Sequence, residues 1–214
     1  MCKGTTGAGV GNLIAQGNIK KIKEIYWELQ GVRMAAAAFT IFAFYTLIDP
    51  FISIWLGEKY LLSSSIVIIL LLNVFLGQTR GTTEQFIYGY GLFQDVWAPL
   101  ATLVITIGVG LVGGYFFGLA GVIAGDCCSS LFILHIWKPY FLFKYGFKSS
   151  VREYWHKQLL LLLIIIVSFA IVLYIKNFIQ LNMPRTYWEW IKYSTIVISI
   201  YLLVFIPVFY VCFK

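Results

Sequence analysis

The chain has 214 residues, of which 60% are hydrophobic and 12% are charged. Soluble domains carry roughly 45–50% apolar and about 25% charged residues, so 16 basic and 9 acidic side chains are too few to cover a water-facing surface. This composition excludes a cytosolic enzyme, a secreted disulfide scaffold and a disordered chain. It indicates an integral membrane protein.

Six stretches are long and apolar enough to cross about 30 Å of hydrocarbon as helices. They are 34–56, 61–79, 96–117, 119–137, 158–176 and 191–213. A transmembrane β-barrel would show alternating strands of about ten residues, whereas the run from Leu159 to Ala170 is continuously apolar. The prediction is an all-α integral membrane protein with six transmembrane helices.

The third and fourth spans meet at Gly118 and are therefore predicted to form an antiparallel hairpin. Small residues at this spacing let helix backbones approach closely in lipid, and the same spacing could permit sliding between helices. The glycines that carry this prediction recur along both spans: Gly110, Gly114, Gly118, Gly121 and Gly125.

The net charge of +7 suggests nucleic acid at first, but the basic residues lie between apolar runs and form no continuous stripe. No nucleic-acid partner is predicted. Short cytoplasmic loops are enriched in Lys and Arg. Placing the N-terminus inside puts 12 basic residues on the inner side and 4 on the outer side. Both termini are therefore predicted to be cytoplasmic.

Four parts of the chain are predicted. Residues 1–33 form a cytoplasmic loop and a basic amphipathic helix that lies on the membrane face and contacts membrane lipids, with Ile and Leu spaced by three and four. Residues 34–137 hold four spans of the bundle. Residues 138–157 form a cytoplasmic loop whose aromatic residues are interpreted as interfacial anchors. Residues 158–214 hold the last two spans.

The residue types needed for metal binding or catalysis do not occur in a suitable pattern. His135 and His156 are remote from any acidic or cysteine cluster, and neither a Ser/His/Asp constellation nor a phosphate-binding loop is present. No metal or other cofactor is predicted, and the protein is not expected to be an enzyme. The cysteines lack ligand spacing and are interpreted as packing residues: Cys2, Cys127, Cys128 and Cys212.

An ionisable side chain at membrane depth marks a candidate functional site. Asp126 lies about 10 Å inside the fourth span at 1.5 Å per residue. It is interpreted either as a proton- or cation-coupling site or as a hydrogen-bonded packing carboxylate. Asp49 precedes Pro50, which frees the carbonyl of Thr46 and should kink the helix. Asp49 is interpreted either as an ion-coupling site reached by water from the outer side or as part of a kink that serves packing alone.

Arg80 and Glu84 close the second span and are neighbours on one helix face. They form either an exposed interfacial pair or the mouth of a cavity, where the arginine receives a phosphate.

Ordered blocks along residues 11–140 resemble a family of membrane exporters. The segment Gly11–Asn18 is similar to the glycine-asparagine stretch that follows the eighth helix of bacterial O-antigen and polysaccharide flippases, the Wzx-type members of the MATE-like MOP superfamily. The further blocks occur in the same order: Pro50–Gly57, Arg80, Gly91–Phe93, Gly118–Val122 and Trp137–Tyr140.

The resemblance implies twelve to fourteen helices in two lobes that work by alternating access in the bacterial inner membrane. The six spans resemble helices nine to fourteen, so the chain is expected to be a C-terminal portion whose partners include the missing N-terminal lobe or other polysaccharide-assembly proteins. The implied substrate is an undecaprenyl-pyrophosphate-linked oligosaccharide, an O-antigen or capsule repeat unit. Arg80 matches a family basic residue and is expected to contact the substrate headgroup.

The sequence departs from the family where many relatives carry Glu and Asn, since Thr102 and Thr106 stand there. Relatives usually have a neutral residue at the place of Asp126, so ion-coupling residues do not carry over. The alternatives are a MATE-type drug or cation exporter fragment, a membrane glycosyltransferase or polymerase of the same pathway, and a remnant without transport activity.

Overall fold

The structure is a computed structural model that describes residues 3–179 and 183–213, with side chains described for 9–179 and 183–210. Six of its helices are long and apolar enough to cross a membrane, and the described residues include no strand. The all-α membrane fold with six spans is thus confirmed. The helices are α1 Lys3–Ala15, α2 Ile19–Trp55, α3 Ser64–Gly89, α4 Trp97–Phe117, α5 Leu119–Gly146, α6 Val151–Phe178 and α7 Tyr187–Phe213, with a short 3₁₀ turn at Glu58–Tyr60.

Helices α4 and α5 form the predicted hairpin, and glycines bring their backbones together. Gly118 has φ +59°, a left-handed value that L side chains rarely adopt, and it joins the two helices without a longer loop. A Cβ on Gly113 would lie 2.7 Å from the carbonyl oxygen of Gly121. A Cβ on Gly125 would lie 2.7 Å from the backbone nitrogen of Gly110. Backbone contact of this kind stabilises helix pairs in lipid, where no hydrophobic effect drives association.

The order of the six long helices in space differs from their order in the sequence. The edge helix α4 packs against α5, which packs against α3, and α3 in turn packs against α2. Helix α2 also contacts α6 and α7, which pair with each other. Helix α2 therefore joins the α3–α5 side of the bundle to the α6–α7 side.

The boundary predicted at Arg33 is absent, because residues 19–55 form one helix of 37 residues. At 1.5 Å per residue this helix is about 55 Å long, which exceeds the roughly 30 Å of hydrocarbon. Its first half packs against the ends of α3 and α5 and the start of α6, with Ile22 and Tyr26 fully buried. The predicted amphipathic helix is therefore not separate from the first span, and residues 3–15 of the expected loop are helical.

The aromatic residues at the α1 end form a core. The Tyr26 ring meets the rings of Phe86, Phe143 and Phe147 edge to face at centroid distances of 5.3, 5.7 and 5.4 Å. Its hydroxyl lies 3.0 Å from Thr83 Oγ1. We call this cluster the aromatic core; its members are Tyr26, Trp27, Phe86, Phe143, Phe147 and Tyr154.

The aromatic core corrects the interpretation of residues 138–157 as an interfacial loop. Helix α5 continues to Gly146 and α6 begins at Val151, so little of this segment is a loop. Phe143, Phe147 and Tyr154 are at most 2% exposed and therefore pack inside the protein. Tyr145, which is 48% exposed, is the kind of residue that fits the original interpretation.

We expect Gly121→Ala to destabilise the α4–α5 hairpin, because its Cβ would collide with the backbone of Gly113. The free energy of unfolding, measured by SDS titration in mixed micelles, should fall by about 1–3 kcal/mol. Gly108→Ala is the matched control, since nothing lies within 4 Å of its Cβ position. That variant should keep the stability of the parent or gain up to about 1 kcal/mol. Equal stability of the two variants would contradict close backbone packing.

Candidate functional site

Helix α3 presents polar and small residues along one face. Asn73, Gly77, Arg80 and Glu84 follow at intervals of four, three and four, which places them on one side of the helix. Gly77 and Arg80 are exposed, and Asn73 and Glu84 are half-buried. The roughly opposite face is apolar and lines a groove toward α6 with Ile68, Leu71, Leu72 and Phe75. We call the polar face of α3, which is Asn73, Gly77, Arg80 and Glu84, together with Asp126 of α5, the polar strip.

Asp126 joins the polar strip through a hydrogen bond from α3. The Asn73 Nδ2 donates to Asp126 Oδ2 at 2.7 Å, and the aspartate is nevertheless exposed. Its carboxylate is thus held in position on one side and open on the other. The hydrogen bond fits a packing carboxylate, while the exposure fits a coupling site, so the two interpretations stay open.

Arg80 lies where two regular helical segments of α3 join, Ser64–Thr79 and Gly81–Gly89. The predicted pairing with Glu84 does not form, since no ion pair within 4 Å involves Arg80 among the described side chains. The guanidinium of Arg33 in α2 lies directly against Gly81. Two arginines therefore converge on this joint of α3.

A histidine anchors α5 to α3 next to the joint. The His135 Nε2 lies 2.9 Å from Thr79 Oγ1, and Nδ1 lies 3.1 Å from the Ser130 carbonyl oxygen. Because a carbonyl only accepts, Nδ1 is the donor in that bond. Both ring nitrogens are occupied by protein groups, so the described geometry gives His135 a positioning role.

Asp49 does not belong to the polar strip. It is exposed in the last turns of α2, which continues through Pro50 to Trp55. No described hydrogen bond or ion pair links Asp49 with Arg80 or Asp126.

The sequence analysis missed a buried ion pair. The Lys138 Nζ lies 3.1 Å from Asp95 Oδ2, and the two side chains are only 9% and 8% exposed. The pair ties the segment between α3 and α4 to α5. Asp95 lies outside the spans and Lys138 follows one, so neither stood out as a charge at membrane depth. Their separation along the chain offers no local spacing pattern that could have revealed the contact.

The described residues contain no group of three or more His, Cys, Asp or Glu side chains that could hold a metal ion. Cys127 is buried and Cys128 is half-buried, and both are free thiols. Cys2 and the Cys212 side chain lie outside the part that the structure describes. No family model, curated protein or solved structure matches the chain.

The contrast between Lys138 and Arg80 can be tested through stability. Lys138→Met would leave Asp95 buried without its partner, which should cost about 3–5 kcal/mol of unfolding free energy. Arg80→Met removes an exposed and unpaired side chain and should change stability by no more than about 0.5 kcal/mol. Thermal and SDS unfolding of the two variants measures the difference. A large loss in Arg80→Met would show that this arginine has a structural role.

Proposed function

We propose that the chain is part of a flippase that moves an undecaprenyl-pyrophosphate-linked oligosaccharide across the bacterial inner membrane by alternating access, with the polar strip lining the route. The observation that supports this proposal is the exposure of two charges on the strip: Arg80 is exposed and makes no ion pair with a described side chain, and Asp126 is exposed within a helix that is long and apolar enough to span a membrane. The ordered sequence blocks supply the substrate class by resemblance.

A strip of this kind is unfavourable against lipid tails. A charged side chain at the centre of a transmembrane helix costs about 2.5–3.5 kcal/mol on insertion scales, and such residues normally face water or other protein. The strip extends about 16 Å from Asn73 to Glu84 at 1.5 Å per residue. It would thus provide a polar surface along half of the hydrocarbon thickness, on the side where a further lobe would lie.

The strip offers groups suited to the pyrophosphate of this substrate and to a coupling ion. Arg80, with Arg33 beside Gly81, supplies planar donor groups that match phosphate oxygens. Gly77 leaves space between the charged positions, since nothing lies within 4 Å of its Cβ position. Asp126, held by Asn73, would bind or release the coupling cation or proton. We place the α1 end in the cytoplasm, which makes Arg80 reachable from the leaflet that supplies the lipid-linked sugar.

Water access to the strip is the first test. In a chain whose native cysteines are replaced by alanine, Gly77→Cys should react with a membrane-impermeant maleimide in inner-membrane vesicles, because the strip faces water. Gly108→Cys on the edge helix α4 is the control; its surroundings are equally open, but we expect it to face lipid and stay unlabelled. Absence of labelling at Gly77, with or without an added first lobe, would exclude a wet route at this face.

Export itself is the second test. The chain is expressed in a flippase-deficient bacterium, alone and joined to the N-terminal lobe of a related flippase, and surface polysaccharide is measured. We expect export from the joined form, and Arg80→Ala should lower it at least about tenfold, the factor for losing one charge-assisted hydrogen bond. Arg152→Ala, an exposed arginine on α6, is the matched control.

The outcomes of this second test separate the remaining alternatives. If neither form exports, the flippase proposal is wrong for this chain. If Arg80→Ala exports normally and Asp126→Asn does not, the strip handles a cation and the drug- or cation-exporter alternative is favoured. Membrane levels of each variant, compared by immunoblot, exclude loss of protein as the cause.

A further inference from the structure

A second polar feature lies outside the polar strip, at the α1 end of the bundle. A cavity of about 800 Å³ opens between the first half of α2 and the first half of α6. Both helices run in the same direction, since Lys23 meets Glu153 and Gln30 meets Gln158 farther along. The residues at its polar end include Lys20, Glu24, Glu28, Glu153 and Lys157, and Trp27 forms part of its wall.

The lining changes from polar to apolar along the helices. On α6, His156 and Lys157 are followed by Leu160, Leu161 and Ile164, over about 12 Å at 1.5 Å per residue. The apolar end lies on the side where both helices enter the membrane-spanning part of the bundle. A phospholipid has the same order, with a charged headgroup at the surface and acyl chains beneath it.

Charges of both signs line the polar end. The Glu153 carboxylate accepts a hydrogen bond from Lys23 Nζ at 2.7 Å, and its other oxygen lies 3.8 Å from Lys157 Nζ. Glu24 and Glu28 are exposed, and neither makes an ion pair within 4 Å among the described side chains. Lys20, one turn before Glu24, is likewise exposed and outside these pairs. The cavity thus brings two carboxylates and one ammonium group outside these ion pairs, Glu24, Glu28 and Lys20, together with the Lys157 ammonium, which lies 3.8 Å from Glu153.

Trp27 forms part of the wall where these charges meet. The Lys157 Nζ lies 5.2 Å from the centroid of the Trp27 ring. The indole Nε1 is buried and has no hydrogen-bond partner among the described residues, a state that costs about 1–3 kcal/mol. Trp27 thus brings to the cavity an aromatic ring that contacts Lys157 and an indole donor without a described partner.

We propose that this cavity binds the headgroup of a zwitterionic, amine-bearing phospholipid, phosphatidylethanolamine, from the adjoining leaflet. The lipid phosphate binds Lys157 and Lys20, and its primary ammonium donates to Glu24 and Glu28. A purely anionic headgroup would meet the two carboxylates with repulsion. A quaternary choline headgroup carries the positive charge but has no N–H to donate. This inference is independent of the flippase proposal.

Native mass spectrometry of the detergent-purified chain tests the site, with phosphatidylethanolamine, phosphatidylglycerol and phosphatidylcholine of identical acyl chains. The parent should retain the ethanolamine lipid about tenfold more strongly than the others, the factor for one charge-assisted hydrogen bond. Glu24→Gln with Glu28→Gln should abolish that preference, whereas Lys20→Gln with Lys157→Gln should weaken all three lipids. The control is Glu58→Gln with Lys192→Gln, in a separate cavity near the opposite end.

Each outcome bears on the proposal. Equal retention of the three lipids by the parent would overturn it, and so would an unchanged preference in the Glu24/Glu28 variant. Soluble glycerophosphoethanolamine should fail to displace the lipid at equal concentration; full displacement would show a site for a free phosphate ester. Size-exclusion profiles that match the parent show that each variant is folded. Because transport is not measured, failure here leaves the flippase proposal unaffected.

Discussion

The hydrocarbon of a membrane offers no hydrogen-bond partner, and the rest of this structure depends on that constraint. Backbone groups must be satisfied within each spanning segment, which makes helices of the six apolar runs. Lipid tails also remove the hydrophobic drive between helices, so the α4–α5 hairpin depends on direct backbone contact at Gly113 and Gly121. Because the hydrocarbon contains no water, a charged side chain within it must be paired with an opposite charge, buried in the protein or in contact with a water-filled space. The surroundings of such a charge therefore indicate its role.

The charged residues discussed above are of two kinds, buried ion pairs and exposed side chains. Lys138 and Asp95 are paired and nearly inaccessible, which ties the segment before α4 to α5. Arg80 and Asp126 are exposed, and only Asp126 has a described side-chain partner, Asn73. A buried pair serves packing, because removing either partner leaves an uncompensated charge. Arg80 of α3 is exposed and makes no ion pair with a described side chain, and this difference from Lys138 supports the role proposed for the strip.

Helix α2 connects the two parts of the molecule to which we assign function. Its first half contributes Tyr26 and Trp27 to the aromatic core and forms one wall of the cavity between α2 and α6, and its second half spans the bundle. Arg33, between the two halves, reaches Gly81 beside the strip.

The sequence by itself determined the helix type and the number of spans, because apolar run length and backbone satisfaction are local properties. It also drew attention to Arg80 and Asp126, which are charges within or beside apolar runs. It did not indicate Asn73, a neutral residue whose partner lies 53 positions away. Only the tertiary structure decided that α2 is continuous, that Phe143 and Phe147 are buried, and that Arg80 makes no ion pair with a described side chain, because each depends on contacts between segments distant along the chain.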